Sequence, residues 1–302
     1  MTTNESDERI VLGDVEITKV EELAGAFMPG TDLVPDAGAE IWQRDADWLA
    51  PDFMDAESGW AVAAVQTWVV RTGGRTILVD TGVGNGRERP SRPEFQHLET
   101  DFLDRLKAAG VRPEDVDVVV NTHLHGDHVG WNTYDAGGSW EPTFPNASYL
   151  VPAADDFHFG PAGGYAGGER PDDRLLYEDS VAPLHRAGLV RLWEGSHRIG
   201  DGLTLEAAPG HTPGSSVLRV ASGGERAVFV GDMLHSPVQI EMPRCSSCLC
   251  ADPVGAAETR VRVFGRAVEE RELVIPAHFG GAGAFEVRRE GEGFAVARWG
   301  VS

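Results

Sequence analysis

Along the chain, short runs of β-branched and apolar residues alternate with polar, glycine- and proline-rich stretches. Runs at residues 11–20, 62–70, 76–79 and 116–120 have the length and composition of strands. Similar runs recur at 148–151, 190–193, 203–207, 216–220 and 226–230, and again at 273–275, 284–287 and 294–298. Two stretches carry helical signals instead. Residues 93–109 open on proline and acidic side chains and stop before Gly110, and residues 253–270 follow Asp252, a side chain suited to cap a helix. Many strands with few, well-separated helices predict an α+β chain in which sheets pack on one another and helices lie outside.

No repeat or low-complexity segment divides the sequence, which predicts a single domain over 1–302 with an extended N-terminal segment of about 60 residues. Two stretches read as long loops: 28–60, rich in Asp, Pro and Trp, and 157–173, which holds seven glycines and prolines. Loops of that length within a compact domain are usually functional or mobile, so 157–173 is a candidate lid.

Composition narrows the class. At 302 residues, 41% hydrophobic and 25% charged, the chain has enough apolar material for a large core and is neither disordered, collagenous nor coiled-coil. Its net charge is 26 − 48 = −22, and only Lys19 and Lys107 are lysines. Such a surface repels phosphate backbones and anionic lipid, which excludes nucleic acid and membrane as partners and leaves a small-molecule substrate. The N-terminus, MTTNESDERI, lacks the features of a secretory signal, and no apolar run approaches the roughly 18 residues of a span. A soluble, cytoplasmic protein is expected. Cys245, Cys248 and Cys250 cannot form an even disulfide framework and suit a reducing compartment.

The chemistry is concentrated in residues 118–130, where an apolar strand runs into His123, His125, Asp127 and His128. Alternate residues at a strand end project to one side, so His123 and His125 can serve one ion while the following turn swings Asp127 and His128 towards a second. Imidazole and carboxylate donors suit zinc, iron, manganese or cobalt, and suit calcium poorly. One loop cannot close two coordination shells. Three other places offer donors: His211 in the Pro/Gly turn 208–214, Asp232 at the end of the run 228–232, and His278 at the end of 274–278.

With these residues in order, the sequence closely resembles the metallo-β-lactamase superfamily, whose hydrolases carry His-x-His-x-Asp-His followed by a distant His, an Asp and a final His. The resemblance runs from Ile77 to about His278. It implies a four-layer αβ/βα sandwich with a metal cleft at one edge of two packed sheets. It also implies two divalent ions, zinc foremost: His123, His125 and His211 would hold the first, Asp127, His128 and His278 the second, and Asp232 would bridge them. The segment 76–84 matches as well, and in the family its aspartate, Asp80, supports the site from behind a ligand. Two ions about 3.5–4 Å apart share a solvent molecule and lower its pKa towards roughly 7, which supplies hydroxide without a strong protein base. Asp127 would both ligate and pass the proton to the leaving atom.

Family does not fix substrate. The acidic balance offers no basic module for RNA and no basic patch for the carboxylates of a glutathione thioester. Lactone and ester hydrolases remain, with hydrolytic dehalogenases and phosphotriesterases acting on aromatic substrates as the alternative; a glutathione thioesterase, or a non-hydrolytic iron, redox or metal-sensing protein, stands further off. Where acyl-homoserine lactonases place a tyrosine, three residues after the bridging aspartate, this chain has His235. The segments 231–235 and 246–253 resemble the methyl-parathion-hydrolase and chlorothalonil-dehalogenase side of the superfamily. His235 and Trp131 are therefore candidate pocket residues, and Trp42, Trp48 and Trp60 could add aromatic walls. The cysteines read either as three-quarters of a structural zinc site or as wall residues between the cleft and the second helix. The long loops and tryptophans permit a homodimer.

Overall fold

The computed structural model describes residues 9–165 and 171–300. The chain divides into two compact units, each assembled from separated segments: Met1–Gly13, Ala24–Ala64 and Ser196–Ser302 form the first, and Asp14–Leu23 and Val65–Gly195 the second.

In the second unit, the strand Trp60–Thr72, which enters it at Val65, pairs antiparallel with Arg75–Val79, Trp68 opposite Val79. From there the sheet continues in parallel through Val118–Val120 and Ser148–Pro152 to Val190–Trp193. Val118, Val119 and Val120 are all buried, as expected of a central parallel strand covered on both faces. Loops at the ends of parallel strands are the usual seats of chemistry. Here the register Val79 to Val120 sets Asp80 beside the start of the histidine loop. Val69, Leu78, Phe102, Leu106, Val119, Leu124 and Phe144 pack into this unit's own core.

The sheet of the first unit orders its strands Ser196–Gly200, Leu203–Ala207, Ser216–Ser222, Glu225–Gly231, Leu273–Pro276, Phe285–Glu290 and Gly293–Trp299. Neighbours are antiparallel except Glu225–Gly231 and Leu273–Pro276, which run parallel because the helix Pro253–Glu270 makes the crossover between them. Asp252 caps that helix, its carboxylate accepting from Gly255 N at 2.9 Å. Val263, Phe264 and Ala267 on its inner face join a core that includes Leu33, Trp42, Val228, Val274 and Phe285.

Mixed α and β structure with two large sheets agrees with the hydrophobic pattern, and the helix over 253–270 stands where it was expected. Three stretches differ. The helix expected over 93–109 begins only at Phe102 and ends at Ala108. His97 takes a left-handed backbone, φ 52°, and the Gln96 side chain accepts from Arg89 N, so residues 93–98 close a turn instead. The stretch 28–60 is not a loop throughout: Ala39–Leu49 is helical and buries Trp42, Asp45 and Leu49, spaced at i, i+3 and i+7. It lacks a side-chain cap, so no start signal marks it. The stretch 157–173 likewise gives way to helices Ala153–Phe159 and Pro171–Ser180. Residues 166–170 of the candidate lid lie outside the described residues. Among the described residues, no helix is long and apolar enough to cross a membrane.

Candidate metal centre

Each unit holds a set of metal-capable side chains. In the second unit the chain leaves Val118–Val120 and passes through Thr122 and His123 into a helical turn, Gly126–Val129. His123 Nε2 lies 3.1 Å from His125 Nδ1, so the alternation read from sequence does bring these rings together. The ring centroid of His128 is 4.0 Å from that of His123, and Asp127 Oδ1 stands 3.8 Å from His128 Nε2.

The loop is held by Asp80. Its carboxylate accepts from Thr122 N at 2.7 Å, from Thr122 Oγ1 at 2.8 Å and from His128 Nδ1 at 2.8 Å. A proton fixed on Nδ1 turns the Nε2 lone pair towards a ligand position, the usual arrangement for a metal-binding imidazole. Asp80 does this from a left-handed backbone, φ 57°. Around it, Thr81 N donates to His128 O and Gly130 N to Gly82 O, at 2.8 and 2.7 Å. The two strands of loop approach so closely that a Cβ on Gly130 would lie 1.7 Å from Val83 O. Only glycine fits there.

Behind this loop stand two buried charge systems. Arg87, fully buried, donates to Gly130 O and to Thr133 O, and pairs with Asp179 at 2.9 Å; Arg89 pairs with the same carboxylate at 2.7 Å. Burial pulls the Arg87 guanidinium down to about 10, opposed by Asp179 and assisted by Arg89. Glu22 accepts from Val83 N at 2.6 Å, Trp131 Nε1 at 2.7 Å and Thr100 Oγ1 at 3.1 Å. Burial nonetheless holds its carboxyl above the ordinary range. Both Glu22 oxygens face donors, so the amide nitrogen of Glu22→Gln would meet N–H and O–H groups instead of an acceptor. That substitution is expected to cost about 1–3 kcal/mol, read as a lower denaturant midpoint. A midpoint at or above wild type would show that relief of the buried charge outweighs the lost acceptor.

In the first unit the parallel strands deliver Asp232 and His278 to the same end, and Ala277 N donates to Gly231 O across the pair at 3.2 Å. Three imidazoles converge on Asp232: His211 Nε2 at 3.3 Å, His235 Nε2 at 3.2 Å and His278 Nε2 at 3.0 Å. Ala64 O accepts from His278 Nδ1 at 2.9 Å, which orients that ring as Asp80 orients His128. His211 sits in a turn in which Thr212 N donates to Ser215 Oγ, with Cys250 Sγ 3.8 Å from its Nδ1.

Electrostatics separates these rings. For His211 burial disfavours the charged form, but the charge and hydrogen bond of Asp232, together with Cys250, overcome it and raise the ring to about 9. For His235 burial prevails, with His211 and His278 as like-charge neighbours, and the ring falls to about 4 despite Asp232. His235 is thus a neutral imidazole at physiological pH.

Within the units, the structure gathers His123 with His125 and His128, and Asp232 with His211 and His278. It also sets His235 Nε2 3.2 Å from Asp232. Trp131 lies in the core of its unit, 5% exposed, stacked on Phe102 at 5.5 Å. Trp42 is buried, while Trp48 and Trp60 are partly exposed. Among the described residues, no metal-capable group of three includes a cysteine, which removes the structural-zinc reading of Cys245, Cys248 and Cys250. The carbonyl of Ala64 escaped the sequence reading because it bears no side-chain signal; Cys250 was read as a zinc donor or a wall residue, but its contact with His211, 39 positions away, has no motif to announce it. The donor set, imidazoles and carboxylates largely buried, fits a divalent transition metal.

Comparison with known proteins agrees. The profile of the metallo-beta-lactamase superfamily matches residues 60–278. An N-acyl homoserine lactonase from Bacillus sp is 26% identical over 167 residues, 52% of this chain and 58% of the relative. The human metallo-beta-lactamase domain-containing protein 1 is 30% identical over 205 residues, 67% of this chain and 57% of the relative. The chain thus spans somewhat less than two thirds of the length of these curated relatives. Among solved structures, AidC, a dizinc quorum-quenching lactonase in complex with a product, superposes with a TM-score of 0.78 at 22% identity over 95% of both chains. At that identity the likeness establishes the fold. With its two large sheets, its ordered His and Asp residues and a profile match over most of its length, this chain belongs to the metallo-beta-lactamase superfamily.

Proposed function

We propose that this protein is a metal-dependent hydrolase of a small, largely apolar lactone, ester or related electrophile. The observation that carries the proposal is that each half of the ligand set is built and oriented: His128 by Asp80, and His278 by Ala64 O, beside a carboxylate, Asp232, that gathers three imidazoles. The ligands assigned by the superfamily pattern are His123, His125 and His211 for one divalent ion and Asp127, His128 and His278 for a second, with Asp232 shared. Zinc suits these donors. Bound ions would supply a water nucleophile at neutral pH and polarise the carbonyl under attack.

The remaining work falls to the chain. Asp80 and Ala64 O keep protons on Nδ1 of His128 and His278, so that Nε2 serves as donor in both rings. Asp127, whose side chain is 22% exposed, is open to solvent and would take the proton released by the attacking water and pass it to the leaving oxygen. His235, held neutral by burial, sets its Nε2 3.2 Å from Asp232, beside the proposed ligands. The lactone and ester class draws support from the likeness to lactonases, and from a net charge of −22 that offers no basic patch to an anionic substrate.

The test is hydrolysis by zinc- or manganese-loaded protein across one panel: an acyl-homoserine lactone, γ- and δ-lactones, p-nitrophenyl esters, a phosphotriester, a glutathione thioester and a chlorinated aromatic nitrile. A lactone or ester should turn over, and Asp127→Asn should lower that rate by about 10²–10⁴-fold. Turnover of only the phosphotriester or the nitrile would move the protein to the alternative class. No turnover in any member, with metal bound, would overturn the substrate assignment.

A further inference from the structure

We infer that Cys250 is a positioning residue for the metal: its thiol holds the His211 imidazole by Nδ1, so that a side chain outside the ligand set tunes the affinity of an ion. The inference rests on the proposed reading in which His211 is a ligand. It differs from that reading in naming a soft partner for one ring where two others have hard ones. Nδ1 of His128 faces a carboxylate oxygen at 2.8 Å and Nδ1 of His278 a carbonyl oxygen at 2.9 Å. Nδ1 of His211 faces Cys250 Sγ at 3.8 Å, a separation that sulfur spans as a weak hydrogen bond. Nε2 of the same ring lies on the Asp232 side at 3.3 Å.

The thiol is held at this place by the backbone. Immediately after Cys250, Ala251 N donates to His211 O and Asp252 N to Gly210 O, both at 2.9 Å, so the two loops are stitched side by side. Before it, Cys250 N donates to Ser247 O at 3.1 Å. Asp252 then caps the helix Pro253–Glu270, which anchors the stitched segment to a rigid element. Gly210 makes the approach possible: it has φ 140°, and a Cβ there would lie 2.3 Å from Ala256 N. From the other side the buried guanidinium of Arg260 donates to Met233 O and to Cys245 O, fixing the ends of the segment that leads from Asp232 to the cysteines. The three thiols diverge: Cys248 is exposed, and Cys245 packs against the hydrophobic core.

Losing a group that orients a metal-binding imidazole commonly costs ten- to a hundredfold in affinity. The experiment is a zinc titration against a competing chelator on the full chain, with wild type, Cys250→Ala, Cys250→Ser and Cys248→Ala, each checked by circular dichroism. Cys250→Ala should bind zinc about tenfold more weakly or worse, and the cobalt-loaded variant should show an altered visible spectrum. Cys250→Ser should bind zinc about as weakly as Cys250→Ala, because its oxygen is smaller and sits on a shorter bond, beyond hydrogen-bond reach of Nδ1. Cys248→Ala should match wild type. Wild-type affinity and an unchanged cobalt spectrum in both Cys250 variants would overturn the inference, and so would an equal loss in Cys248→Ala. A wild-type chain that binds no zinc or cobalt would instead overturn the metal-centre reading on which it rests.

Discussion

Protein carrying Asp232→Ala is expected to purify with metal at background level and with no measurable hydrolysis, while its circular dichroism stays that of the wild type. His211, His235 and His278 converge on this carboxylate at 3.0–3.3 Å. Removing it deletes a ligand proposed to be shared by both ions, so both affinities fall together. It also removes the charge that lifts His211 to about 9 against the effect of burial. A loss of a hundredfold or more in metal affinity is the scale expected when a ligand and its orienting charge disappear at once. Fold should survive, because the core of this unit is built from Val228, Val274, Phe264, Phe285 and their neighbours rather than from the site. Metal retained near one equivalent, measured by elemental analysis, would show that Asp232 serves a single ion and does not bridge.

The second large effect concerns stability. Asp179→Ala should lower the unfolding free energy by about 3–5 kcal/mol, against a total of roughly 5–15 kcal/mol for a protein domain. Its carboxylate neutralises Arg87 and Arg89 at 2.9 and 2.7 Å, and both guanidiniums are buried. Without it, two like charges would face each other away from water. Arg87 also grips Gly130 O and Thr133 O, immediately past the histidine loop, so the damage should reach the metal. Asp179→Asn keeps the acceptor shape and loses the charge, and should fall between. Denaturant titration measures all three proteins. A change below about 1 kcal/mol for Asp179→Ala would mean that water reaches the arginine pair.

How much of this was legible in the sequence follows from where each signal resides. The His123–His128 loop is dense and local, so its metal-capable side chains stand out in the sequence, while His211, Asp232 and His278 were joined to it by the superfamily resemblance. Asp80 was legible for the same reason, as part of a strand-end motif. What supports the loop was not. Glu22 and Asp179 stand 61 and 90 positions from the groups they hold, Val83 and Arg89, and nothing in their neighbours marks them as buried. The helix Ala39–Leu49 was hidden because it lacks a cap and because an aspartate, Asp45, occupies its buried stripe, paired there with Arg44. Residues 93–98 carry helix-forming composition, but His97 adopts a backbone that no helix accommodates. His235 was singled out for the residue it replaces; its contact with Asp232 could be seen only in three dimensions.

The discontinuity of the first unit imposes an order of events during synthesis. Everything the second unit needs has been made once residue 195 is out, whereas the first unit combines residues 24–64 with 196–302. At about 5–20 residues per second, the last of those segments takes roughly 5–20 s to appear. Throughout that interval Leu33, Val34, Trp42 and Leu49 wait for the strands that will bury them. The nascent chain therefore carries every residue of the histidine loop's unit while the segment holding Leu33, Val34, Trp42 and Leu49 still lacks the strands that bury it. Holding that segment apart from other chains is the natural task of a chaperone, and slower translation beyond residue 195 would lengthen the exposure.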